Sequence, residues 1–218
     1  ALEVTADNTA NMNPPAFKRR EVRFSEIIAS RTTDVPVVGT PSTSGVSGVA
    51  VCGAPTDFSP GDLRATGRAL DLAIDGPGFI EVMGAGGRTL LWRGGELSIG
   101  ADGLLSTKDG LALKALITVP EGATDLAIGE DGRVTALTAA GRREEIGKID
   151  IVLTRTDAAL QPVGGSGVYA AGDEADLMAA DPAEDGAGRF RQGFIESANL
   201  QLSDEMVLLM LTQRAFAA

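Results

Sequence analysis

Between residues 61 and 172 the chain is cut into short apolar runs by glycine-bearing turns, a spacing that fits strands and leaves no stretch long enough for a core helix. The runs are 70–74, 79–83, 89–92, 96–99, 111–119, 125–128, 133–137 and 148–153, several alternating with period two. Asp-Gly pairs begin at Asp75, Asp102, Asp109 and Asp131. Such pairs tolerate positive φ and so suit hairpins between twisted strands. A mostly antiparallel meander is expected. Ile99-Gly-Ala-Asp-Gly103 is echoed by Ile128-Gly-Glu-Asp-Gly132. The echo is compatible with a calcium-binding β-roll, but two copies do not make a solenoid, and two hairpins with similar turns are the simpler account.

The flanks have other periods. Residues 1–13 read as the last turns of a helix, stopped by Pro14 and Pro15, which lack a backbone N–H. Residues 16–28 fit helix or strand. Residues 29–60 are rich in Pro, Gly, Ser, Thr and Val and read as an extended connector with a strand or two. Residues 173–192 are rich in Asp, Glu, Ala and Gly and read as a solvated acidic linker. From Ser203, an N-cap residue followed by Asp204 and Glu205 facing the helix dipole, Met206, Leu209, Gln213 and Phe216 recur at helical spacing. Both ends fall within helical patterns, so further residues are expected at each. The resulting division is 1–28 (N-terminal helical segment), 29–60 (connector), 61–192 (β domain with acidic loop) and 193–218 (C-terminal helix).

The chain contains no histidine, which excludes a Ser-His-Asp triad, a Cys-His pair and an HExxH zinc site. A single cysteine, Cys52, excludes an intrachain disulfide. Aromatic residues make up only 4% of the chain, too few for a sugar-stacking cleft around any carboxylate pair, and the glycine-rich pieces match no phosphate-binding motif. No catalytic residue, cofactor or metal ligand is therefore assigned, and the chain is not read as an enzyme. A net charge of −11 disfavours nucleic acid and anionic lipid, and no apolar run approaches a bilayer span.

Two features point instead to protein partners. Lys18, Arg19, Arg20 and Arg23 form a basic cluster on an acidic chain, either a solvated face or a patch that meets an acidic neighbour. Residues 207–211 (VLLML) are apolar all round their helix, which favours burial on several sides and intermolecular packing.

Asp7-Asn-Thr-Ala-Asn-Met-Asn-Pro-Pro-Ala-Phe-Lys18 resembles the N-terminal signature of the bacterial flagellar rod and hook proteins. Residues 61–67 and 70–79, Asp102 to Thr107, Ile117 to Pro120 and Gln192 to Leu200 are similar to further motifs of that family, in the same order. Glu205-Met-Val and Gln213-Arg-Ala-Phe216 look most like the distal rod members rather than proximal rod or hook. Thr9 and Ala16 stand where the signature has Leu and Gly. Trp92-Arg-Gly-Gly95 carries its aromatic residue displaced by one, and a one-residue shift on a strand changes face.

The resemblance implies a mainly β fold, a central antiparallel β domain flanked by terminal helices that pair as coiled coil in the assembly. It implies a structural subunit of the basal-body rod, exported without a cleaved signal peptide and polymerised into a periplasm-spanning, torque-transmitting helical tube. Its partners would be copies of itself and neighbouring rod, hook and ring proteins. The implied assembly residues are Asn8, Asn11, Asn13, Phe17 and Lys18 near the start and Met206, Leu209, Gln213, Arg214 and Phe216 near the end. The competing class is a secreted acidic β binding module, which would stay discrete where a rod subunit polymerises.

Overall fold

In a computed structural model the residues described are 2–21, 24–28, 47–51, 55–164, 167–172, 175–184 and 186–217. Most of the connector, Arg23, the chain ends and the side chain of Phe216 lie outside them. The elements run α1 (Leu2–Ala10), β1 (Phe24–Ile28), β2 (Ser47–Val51), β3 (Leu63–Ala65), β4 (Asp71–Asp75), β5 (Ile80–Met83), β6 (Thr89–Trp92), β7 (Gly94–Ile99), β8 (Leu105–Thr107) and β9 (Ala112–Leu113). They continue with β10 (Thr124–Ile128), β11 (Arg133–Leu137), β12 (Arg143–Lys148), β13 (Ile151–Thr154), β14 (Leu160–Pro162), β15 (Val168–Ala171), β16 (Leu177–Ala180), β17 (Arg189–Gln192), β18 (Phe194–Glu196) and α2 (Leu202–Ala217). The fold is mainly β, and every strand pairing is antiparallel.

The principal sheet has the order β14-β15-β6-β5-β9-β8-β7-β4-β17. One face packs Leu72, Ile74, Ile80, Val82, Leu97, Leu105 and Leu113 against Leu126, Ile128 and Val134 of the β10-β11-β12 meander. The opposite face carries a second cluster in which Phe58, Phe79 and Tyr169 meet edge-on, with centroids 5.0–5.8 Å apart. Trp92 lies opposite Ile80 and Val168, in the first core, and is almost wholly buried.

Of the four Asp-Gly pairs between residues 61 and 172, three make hairpins. Gly103, Gly110 and Gly132 have φ of 78°, 82° and 81° and link β7 to β8, β8 to β9 and β10 to β11. Asp75-Gly76 does not, because β4 pairs with β7 and β17 rather than with the next strand. The echoed pentapeptides are one turn used twice. The Gly100 N–H donates to the Leu104 carbonyl and the Leu104 N–H to Asp102 Oδ1, as Gly129 does to Arg133 and Arg133 to Asp131 Oδ1.

One expectation needs correction, and one alternative left open is decided. The acidic stretch is not a free linker: β16 pairs with β13, and β17 completes the principal sheet beside β4. Phe190 fills the core there, and that burial outweighs the surrounding charge. The ambiguous segment before the connector contributes β1, paired with β2.

Candidate functional site

The two chain ends meet at one corner of the β body. β18 pairs with β3, which leaves Glu196 at a strand end pointing inward, 1% exposed. Its Oε1 accepts from Lys18 Nζ at 2.6 Å and from the Gly61 N–H at 2.8 Å, and its Oε2 accepts from Arg93 Nε at 2.9 Å. Lys18 Nζ also donates to the Ser59 carbonyl, and the Arg93 guanidinium donates to the carbonyls of Gly76 and Gly78. Buried charges persist only when paired and hydrogen-bonded in this way. Burial nevertheless pushes the Lys18 ammonium below its ordinary pKa, with Glu196 opposing. Burial, reinforced by the Glu196 charge, pushes the nearby Tyr169 phenol up.

The backbone before Lys18 enters this corner by a left-handed residue. Ala16 has φ 57°, its N–H donates to the Glu196 carbonyl, and it presses on Gly167, where a Cβ would come within 2.9 Å of the Ala16 Cβ. Glycine at 167 permits the approach.

A second knot ties both helices to residues 19–20. Asn8 of α1 is buried, and its amide pairs with the main chain of Arg20, accepting from the N–H and donating to the carbonyl at 3.0 Å each. Glu205, in the first turn of α2, is 1% exposed; its carboxylate accepts from Arg19 Nε at 2.8 Å and from Asn8 Nδ2 at 3.4 Å. Arg19 is fixed in turn: its N–H donates to Asn199 Oδ1 at 2.7 Å, and its carbonyl accepts from the Asp57 N–H at 2.8 Å. α1 and α2 touch one another.

Of the expected assembly residues, Asn8, Phe17 and Lys18 thus lie at internal contacts. Asn11 turns back on Asp7, and Asn13 is exposed beside Trp92 in a surface cavity. The basic cluster is not a free patch. Among its described members, Lys18 pairs with Glu196 and Arg19 with Glu205 from the far end of the chain, Arg19 also with neighbouring Glu21, and Arg20 with Asp7 of α1. On α2 Met206, Gln213 and Arg214 are exposed, while Leu209 is half-buried on the side of Glu205. Glu196 and Glu205 were not anticipated as site residues. Each sits inside a quoted motif, Gln192 to Leu200 and Glu205-Met-Val, and the helix dipole accounts for Glu205 a second time. Among the described residues no helix is long and apolar enough to cross a membrane.

Comparison with known proteins converges on one family. Residues 73–136 match the model described as the flagellar hook protein FlgE/F/G D1 domain, and residues 191–218 the flagellar basal body rod FlgEFG protein C-terminal model. The chain is 30% identical over 232 residues to the flagellar basal-body rod protein FlgG of Bacillus subtilis, covering 99% of this chain and 85% of that protein. It is 30% identical over 224 residues to FlgG of Agrobacterium fabrum, with the same coverage, and 28% identical over 221 residues to FlgF of Caulobacter vibrioides, covering 99% and 82%. With both helical ends locked to a β body and relatives spanning nearly its whole length, the chain belongs to the flagellar basal-body rod protein family, as a structural rod subunit of the FlgG type.

Proposed function

We propose that this chain polymerises with copies of itself into a rigid helical tube of the distal rod, its terminal helices pairing as coiled coil within the wall and its β body facing outward. The observation that carries the reading is the outer face of α2. Met206, Val207, Met210 and Leu211 are 49%, 57%, 57% and 58% exposed on a helix whose opposite side is anchored. Contiguous apolar surface of this kind calls for a protein partner. A second copy, presenting the same helix, supplies a matching face, and close-packed repeated interfaces give the stiffness needed to transmit torque.

In this reading segments 1–28 and 193–218 carry assembly, with Asn8, Asn11, Asn13, Phe17 and Lys18 setting the helix base and Met206, Leu209, Gln213, Arg214 and Phe216 meeting neighbours. Segment 29–60 links them to the β domain, 61–192. The subunit catalyses nothing, is exported without a cleaved signal peptide, spans the periplasm as rod and abuts rod, hook and ring proteins at its ends. Sedimentation and electron microscopy of the full chain over a concentration series test it. Filaments forming above a critical concentration are expected. A chain discrete at every concentration behaves as a binding module and overturns the reading.

A further inference from the structure

The carboxylate of Glu205 reaches beyond its own helix. Both of its oxygens accept from groups outside α2, Arg19 Nε and Asn8 Nδ2, although acidic residues in a first turn ordinarily complement the dipole from the surface, as exposed Asp204 does. Asn8 is 197 residues away and Arg19 is 186, so the contact joins α2 to α1 and to the β body at once. Arg19 is held through its own N–H and carbonyl, and Asn8 through both atoms of its amide. The receiving plate is therefore rigid.

The angular position of Glu205 gives this clasp a purpose. At about 100° per residue, Met206, Val207, Met210 and Leu211 fall roughly 100° to 240° round the helix from it. The apolar face is thus centred on the side diametrically opposite the anchored carboxylate. A helix with exposed apolar residues on one side gains by rolling that side against its own β body, and Glu205 opposes the roll: turning the apolar face inward would pull the carboxylate away from Arg19 Nε and Asn8 Nδ2, losing a charge-assisted bond at 2.8 Å.

We propose that Glu205 is a positioning residue that sets the rotation of α2 about its axis and so keeps the apolar face turned outward for a second copy of the chain. This rests on the reading of that face as an assembly surface. Breaking the clasp frees the helix to roll and hides the face without unfolding the β body.

The test uses the full chain carrying spin labels on α2 at position 211 and on the meander at position 144, with Cys52→Ser in the background. A narrow inter-label distance is expected for the parent and a broadened or shifted one for Glu205→Ala. Glu205→Gln, which keeps an acceptor for Arg19, restores most of the parent distribution. The critical concentration for polymerisation rises on the order of tenfold in Glu205→Ala, while the β-body melt is unchanged. An unchanged distance in Glu205→Ala overturns the clasp, and a changed distance with unchanged polymerisation overturns its role in assembly. If Glu205→Ala fails to fold, Arg19→Ala, at a position 28% exposed, carries the same comparison. A parent chain that never polymerises overturns the assembly surface itself, an outcome separable from the clasp because the distances are measured on monomer.

Discussion

Lys18 and Glu196 are 178 residues apart in sequence and 2.6 Å apart in space, with both side chains sealed from water. Arg93 shares the same carboxylate, so the corner holds two cations and one anion. Removing the anion leaves two buried like charges, whereas removing Lys18 leaves a matched pair. Glu196→Ala is expected to cost about 3–5 kcal/mol. Lys18→Met should cost distinctly less. Urea denaturation at neutral pH measures both, and a Lys18→Met loss equal to or larger than that of Glu196→Ala would contradict the charge count.

The same corner sets an alkaline signature. Tyr169 has a folded pKa above its ordinary 10.0. As pH rises through that ordinary value the unfolded chain loses the phenolic proton first, so it binds fewer protons than the native state and stability falls. Lys18 works the other way. Its folded pKa lies below 10.5, so between the lowered value and 10.5 the unfolded chain holds the proton and stability rises with pH. Tyr169→Phe should therefore lessen the alkaline loss and unmask the lysine gain below 10.5, above which Lys148, raised by its bond to Asp181, still contributes a loss; melting temperature against pH from 8 to 11 reads both. A variant that loses stability as steeply as the parent contradicts the assignment.

Ala16 has a backbone conformation that costs a residue with a Cβ about 1–2 kcal/mol. Ala16→Gly is expected to stabilise the fold by about 0.5–1 kcal/mol after the glycine entropy is charged against it. Gly167→Ala should do the reverse and more strongly, since its Cβ would meet Ala16 at 2.9 Å and its φ is 65°. Thermal melts of the two single variants decide the matter.

Gly132 and Gly110 share nearly the same φ, 81° and 82°, but a Cβ at 132 would lie 2.1 Å from the Ile149 carbonyl oxygen, whereas at 110 nothing lies within 4 Å. Alanine at 110 should cost only the left-handed strain, about 1–2 kcal/mol. Alanine at 132 should cost more, because backbone must move. Equal losses in denaturant titrations would show that the β10-β11 turn yields freely.

On α2, Met210→Asp places a charge on the outer face at a position 57% exposed. Monomer stability should change by no more than about 0.5 kcal/mol. Polymerisation should fail. Leu209→Asp, half-buried toward Glu205, should lower both. Sedimentation paired with thermal melts separates the two variants, and filaments from Met210→Asp would remove the outer face from the interface.

How much of this was legible in the sequence depends on the range of the signal. Hairpins at Gly103, Gly110 and Gly132 follow from adjacent residues and were readable. Asp75-Gly76 misled because the same dipeptide serves a strand whose partners lie elsewhere in the chain. β4 was readable as the run 70–74, but it is buried from Asp71 to Ile74 with β7 on one side and edge strand β17 on the other, so no alternation marked which face meets the core. Phe190 was lost in an acidic context. The corner was hardest: Lys18, Arg93 and Glu196 have no common period, and three charged residues far apart in a chain look like surface until the topology brings them together. Glu205 is hidden for the opposite reason, since a first-turn carboxylate already fits the helix dipole and nothing local marks its partners at Asn8 and Arg19.

The joining of Asn8, Lys18 and Arg19 to Glu196 and Glu205 also orders the events of folding. Contacts spanning 178, 186 and 197 residues are the most costly loops the chain can close, and they reward nothing until both ends are present. The Asp-Gly hairpins can form from neighbouring residues alone, yet the corner cannot close until residues 18–20 and 196–205 are both free to meet. Until then Lys18 or Glu196 stays hydrated, Glu205 has no plate to grip, and the α2 face is not aimed at anything. Local hairpins therefore come before the corner, and a chain whose residues 196–205 are not yet in place holds its β turns without an aimed α2.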